Sequence, residues 1–93
     1  MGFEFDENKS RSNKVKHGID FVEAQVLWND LFRLEFPVHS SDESRVVLIG
    51  KIGAKIWAAV ITYRGENTRI ISVRRARKKE VGIYEELYPS QRF

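Results

Sequence analysis

Between Leu31 and Val73 apolar residues recur with a period of two, in runs broken only by short clusters of turn-forming residues. Leu31 to Val38, Arg45 to Ile52, Lys55 to Arg64 and Thr68 to Val73 read as four strands. The polar cluster from His39 to Ser44, the pair Gly53-Ala54 and the triplet Gly65-Glu66-Asn67 separate them. Connections this short make hairpins, whereas parallel neighbours need a crossover of about a dozen residues or more. The expectation is therefore an α+β fold built on a small, mostly antiparallel sheet.

Helical signals flank this block. Phe3-Glu4-Phe5 alternates as a short first strand, and Asp6 follows as an N-cap for a polar helix over Glu7 to His17 that Gly18 stops. Asp20 and Glu23 have the spacing of a capping box, with Ile19 placed to staple against Ala24. Phe21, Ala24, Leu27 and Trp28 would bury one face of that second helix. A third helix is expected from about Arg75 to Tyr88, with Val81, Tyr84 and Tyr88 on one side and Pro89 near its end. Gly82 falls inside it, at a cost of about 1 kcal/mol relative to Ala. Ninety-three residues suit one domain, 1–93, with a modest core.

Dividing the strands by their period places Phe32, Leu34, Phe36, Val46, Leu48, Ile56, Ala58 and Val60 on a face for the helices to cover. The second face would then carry Arg33, Arg45, Val47, Ile49, Lys51, Lys55, Trp57, Ile61 and Tyr63. Cations mixed with Trp57 and Tyr63 are the combination that holds phosphates and stacks bases, although packing in a core explains the two aromatics equally well.

Charge sharpens this reading. Residues 1–44 hold five basic and nine acidic side chains, net −4; residues 45–93 hold eleven basic and four acidic, net +7. Arg69, Arg74, Arg75, Arg77, Lys78 and Lys79 follow one another with no acid between them. Cations ahead of a helix oppose its positive N-terminal dipole, an unfavourable placement that points to a polyanionic partner. A merely solvated surface is the plainer explanation.

Other chemistries find little support. There is no Cys, hence no disulfide, thiol nucleophile or cysteine zinc site, and no metal-ligand spacing among His and the acids. Gly50 and Gly53 lack the following helix of a phosphate-binding loop. Ser40, Ser41 and Ser44 near His39 have no nucleophile-elbow context. His17 with His39 could in principle act as an acid and base, but one sits at a helix end and the other in a polar turn. Glu80 is the acid beside the cationic block, able to act as a base or simply to neutralise Lys78 and Lys79. Residues 1–9 contain three acids and no apolar run, unlike a secretory leader, and no stretch is long and apolar enough to span a membrane, so a cytoplasmic protein is expected.

The series Phe3-Glu4-Phe5-Asp6, Asn8-Lys9, Asn13, Lys16-His17-Gly18-Ile19, Phe21 and Glu23-Ala24, followed by Arg69-Ile70-Ile71-Ser72-Val73-Arg74-Arg75-Ala76, closely resembles the BrnT family. These are small ribonuclease toxins of type II toxin–antitoxin operons. The resemblance implies a RelE-like fold, with helices on one side of the sheet and an RNA-cleaving surface made by sheet residues and the terminal helix. It implies RNA cleavage without a metal or other cofactor, arrest of translation and growth, and neutralisation by a BrnA-type antitoxin that also contacts operator DNA. Carried onto this chain, it singles out Trp57, Arg64, Arg69, Arg74, Arg75 and Glu80; of these Arg69, Arg74, Arg75 and Glu80 are the expected catalytic residues, and Trp57 and Arg64 would bind RNA together with Arg77, Lys78 and Lys79 of the cationic run. Two other functions share these features: a nucleic-acid-binding module that does not cut, and a toxin of the same fold acting on a protein such as DNA gyrase, as ParE-type proteins do.

Overall fold

A computed structural model describes residues 2–38 and 44–91. Five strands form one sheet in the order β1-β5-β4-β3-β2: β1 is Gly2–Glu4, β2 Leu34–Val38, β3 Arg45–Ile52, β4 Lys55–Arg64 and β5 Asn67–Arg75. β1 runs parallel to β5, and every other neighbouring pair is antiparallel. Both tight hairpins form: Ile52 pairs with Lys55 across Gly53-Ala54 as expected, while Arg64 pairs with Asn67 across Gly65-Glu66, a turn one residue shorter than the expected Gly65-Glu66-Asn67. Gly53 and Gly65 open these turns with φ of 60° and 58°, a conformation costly for a residue with a side chain.

Helix α1, Glu7–His17, begins at Asp6, whose carboxylate accepts hydrogen bonds from the Asn8 and Lys9 amides, and closes at Gly18. It has no apolar stripe: Val15 is 90% exposed, while Ser10 and Asn13 are buried. Hydrogen bonds replace hydrophobic docking. Asn13 Nδ2 donates to the carbonyls of Ile19 and Val73, both at 2.8 Å, and its Oδ1 accepts from the Val73 amide at 3.2 Å. The side-chain amide thus occupies the edge of β5 beyond the three residues that β1 covers. Ser10 Oγ accepts from the Phe21 amide.

The second helical segment is a 3₁₀ helix, Glu23–Asn29, and not the α-helix its apolar spacing suggests. Its capping box is present: Asp20 accepts from the amides of Val22 and Glu23, and Glu23 accepts from that of Asp20. The segment ends at Asp30, whose carboxylate accepts from the Phe32 and Lys51 amides and from the buried Tyr84 hydroxyl. Helix α2, Lys78–Leu87, starts later than expected because the ladder continues through Arg75 and the Ala76 amide still bonds Ile56. A 3₁₀ turn, Pro89–Gln91, follows.

Two expectations about the layers are corrected. The helices do not share one side. Ile19, Phe21, Ala24 and Leu27 pack with Leu48, Trp57, Ala59, Ile61, Ile70 and Val73 on one face, whereas Tyr84 packs with Ile49, Ile56 and Ala58 on the other. The division of side chains is also shifted, because a two-residue turn pairs even-numbered residues of β3 with odd-numbered ones of β4. Leu48 therefore shares a face with Trp57, Ala59 and Ile61, and Leu34 and Phe36 lie with Ile49 and Val47.

Replacing Asn13 with Ala leaves buried amide and carbonyl groups of Val73 and Ile19 without this partner and should lower unfolding free energy by about 2–4 kcal/mol, read by urea denaturation. At Gly82, which is exposed within α2 with open space where a Cβ would stand, Gly82→Ala should raise stability by about 1 kcal/mol in the same assay.

Candidate functional site

The cationic segment lies mostly on β5, and a break in pairing decides where its side chains go. Val60 pairs with Ser72 but Ile61 pairs with Ile70, so Ile71 is an extra residue on β5. The bulge reverses the alternation. Arg69, five residues before Arg74, thereby shares its face, while Arg75 lies on the opposite one. Arg69 pairs with Thr62 and Arg74 with Ala58. The two arginines stand four strand positions apart, about 13 Å along the sheet.

Arg74 is held by Glu80. Its two terminal nitrogens donate to the two carboxylate oxygens at 2.7 and 3.0 Å, a bidentate pair. Glu80 sits at the third position of α2 and also accepts from the Arg77 amide at 2.7 Å, so one carboxylate both caps the helix and orients the guanidinium. Hydrogen bonding from Arg74 holds the Glu80 carboxyl below the usual carboxylate range, and Glu80 in turn raises Arg74. Both side chains are mostly covered. Beside them a groove runs between α2 and the sheet, lined by Phe36, Val47, Ile49, Lys79, Glu80 and Ile83.

The remaining expected residues distribute unevenly. Lys79 lines that groove, while Arg77 and Lys78 are exposed at the start of α2. Arg64, at the β4–β5 hairpin, shares the face of Arg74. Arg69 approaches Glu4 of β1 at 3.6 Å. Arg75 lies on the other face, its guanidinium 5.5 Å from the centre of the Trp57 ring. Trp57 itself is only 8% exposed and belongs to the core beneath the 3₁₀ helix, so its ring is packed and not displayed for stacking. Tyr63 is exposed on that same side, donates to Glu35, and is raised to about 12, mainly by burial. His17 ends α1, and His39, Ser40 and Ser41 lie outside the described residues. Among the described residues no group of three or more His, Cys, Asp or Glu is arranged to hold a metal ion, and no helix is long and apolar enough to cross a membrane.

Two residues that organise this region escape a reading of the sequence as charges and apolar periods. Asn13 fastens β5 from outside the sheet, and Asp30 ties β3 to α2. The lack of an apolar stripe in α1 was the one available signal, since such a helix has to dock by polar contacts.

The Glu80 carboxyl, held low in the folded chain, contributes stability above its unfolded range that is lost as pH falls through the folded value. Denaturation at neutral and at acid pH should therefore show a smaller acid loss in Glu80→Gln than in the unmodified protein.

A search of curated proteins finds no match. The family model described as the ribonuclease toxin BrnT of type II toxin–antitoxin systems matches residues 5–80, from the β1–α1 junction through β5 to Glu80. With most of its length inside that match, including the Arg74–Glu80 pair, this chain belongs to the BrnT family of type II ribonuclease toxins.

Proposed function

We propose that this chain is an endoribonuclease that cuts RNA without a metal, with Arg74 at the reacting phosphate. The observation that carries the reading is the bidentate Arg74–Glu80 pair at the edge of the groove. In the reaction the RNA 2′-oxygen attacks the adjacent phosphorus and the 5′-oxygen leaves, giving a 2′,3′-cyclic phosphate. The 2′-hydroxyl loses its proton and the leaving oxygen gains one. Negative charge accumulates on the non-bridging oxygens as the fifth bond forms. A guanidinium fixed beforehand stabilises that charge without reorganising, and it stays protonated throughout.

Glu80 serves this step as a positioning residue. Both of its oxygens are engaged and its proton affinity is lowered, which suits an anchor better than a base. Lys79 offers a further cation along the groove, and Arg77 and Lys78 extend the positive surface around the helix start. Arg75, facing the other way over Trp57, adds to the long-range field that draws in a polyanion. In the cell this activity would block translation in the cytoplasm until a BrnA-type antitoxin, itself bound to operator DNA, covers the toxin.

Labelled RNA incubated with cell-free synthesised protein in excess EDTA tests the reading. Cleavage should survive EDTA and fall by about 10²–10³ in Arg74→Ala, the loss typical of one electrostatic donor. Arg74→Lys should not restore it, because a point charge cannot make the planar fork. Intact RNA from folded protein would overturn the ribonuclease and leave a non-cutting binder or a toxin of another target.

A further inference from the structure

The face that carries Arg74 is ordered into three transverse rows by the strand register. Leu34, Ile49, Ala58 and Arg74 form the first, beneath α2. Phe36, Val47, Val60 and Ser72 form the second. In the third, Val38 pairs with Arg45, Thr62 pairs with Arg69, and Arg45 directly precedes the Val46–Ile61 pair, which sets it across from Thr62.

We propose that Arg45 and Arg69 form a second phosphate-binding site, so that single-stranded RNA lies across this face with one phosphate at Arg74, a base on the intervening apolar row and a later phosphate at the Arg45–Arg69 row. The proposal rests on the ribonuclease reading for the identity of the strand, and on the register for its geometry. Thr62, between the two arginines, is buried, its hydroxyl donating to the Ser44 carbonyl. Strand spacing sets the Cα atoms of the two arginines about 10 Å apart. Glu4 lies 3.6 Å from Arg69, but both side chains are about one-third exposed, and a pair of that kind is weak enough for a phosphate to displace.

The middle row supplies what a base needs. Phe36 is 37% exposed and stands beside partly exposed Val47 and Val60. Apolar and aromatic surface flanked by guanidinium groups is the recurring platform for single strands. A separation of about 13 Å between the Arg74 and Arg69 positions exceeds what one phosphate can bridge, so a dinucleotide or longer strand is the fitting ligand. Duplex RNA, with its bases stacked inward, cannot place one on the row.

The probe is a short fluorescein-labelled 2′-O-methyl single-stranded RNA, which cannot be cut by 2′-hydroxyl attack, followed by fluorescence anisotropy over a series of salt concentrations. Arg45→Gln and Arg69→Gln should each weaken binding several-fold and reduce the slope of log K against log salt by about 0.7, the value for one phosphate contact on a single strand. Arg45→Lys should keep the slope, which a merely structural role for Arg45 does not predict. Unchanged slopes in both Gln variants would overturn the site. Following the Arg45 and Arg69 Nε–Hε resonances of the unmodified protein by NMR during titration needs no variant to fold, and resonances that do not move would likewise overturn it. The all-ribose form of the same strand keeps the two readings apart. Binding with the expected slopes but no cleavage leaves the phosphate site standing and removes the ribonuclease, whereas cleavage with unchanged slopes does the reverse.

Discussion

Asn13 closes three hydrogen bonds with the main chain, two to Val73 and one to Ile19. The geometry imitates a neighbouring strand, with an amide and a carbonyl of β5 answered by the donor and acceptor of one side chain. β1 is too short to reach that part of the edge, and buried main-chain groups left there would cost stability. The same side chain positions the turn into the 3₁₀ helix, whose Phe21, Ala24 and Leu27 close one face of the core. A helix almost without apolar residues is thereby made part of the fold, and the strand it grips is the one that continues into Arg74 and Arg75.

A second polar junction does comparable work on the other side. Asp30, at the end of the 3₁₀ helix, accepts from the Lys51 amide on β3 and from the Tyr84 hydroxyl on α2. Tyr84 is fully buried, and its desolvated hydroxyl, bonded to Asp30, is pushed well above the ordinary phenol range. α2 is thus located by a buried aromatic ring with a polar tip at its middle and by the Arg74–Glu80 pair at its start. The pair sits where it does because the helix is constrained at its start and at its middle. Charge placement and packing are one problem here.

Several local features were legible in the chain. The N-cap Asp6, the stop at Gly18, the Asp20–Glu23 capping box and the two tight hairpins each depend on neighbours within a few positions, and all are present. The extension of β5 through Arg75 was not legible, because cations are poor markers of a strand and the Ile56 carbonyl that holds Ala76 comes from elsewhere in the chain. Trp57 was ambiguous for a similar reason: its exposure depends on which helices lie over it, and they belong to the N-terminal half.

The sequence by itself determined the strand set, the hairpins, the caps, the concentration of cations after residue 44 and the family to which the chain belongs. These follow from period, loop length and residue type, which are properties of contiguous segments. Only the tertiary structure decided which cations share a face. Two-residue turns set the parity between strands, and the bulge at Ile71 reverses it within β5, so Arg69 joins Arg74 on one face and Arg75 is sent to the other. Parity is a relation between paired strands, and it exists only once they have paired.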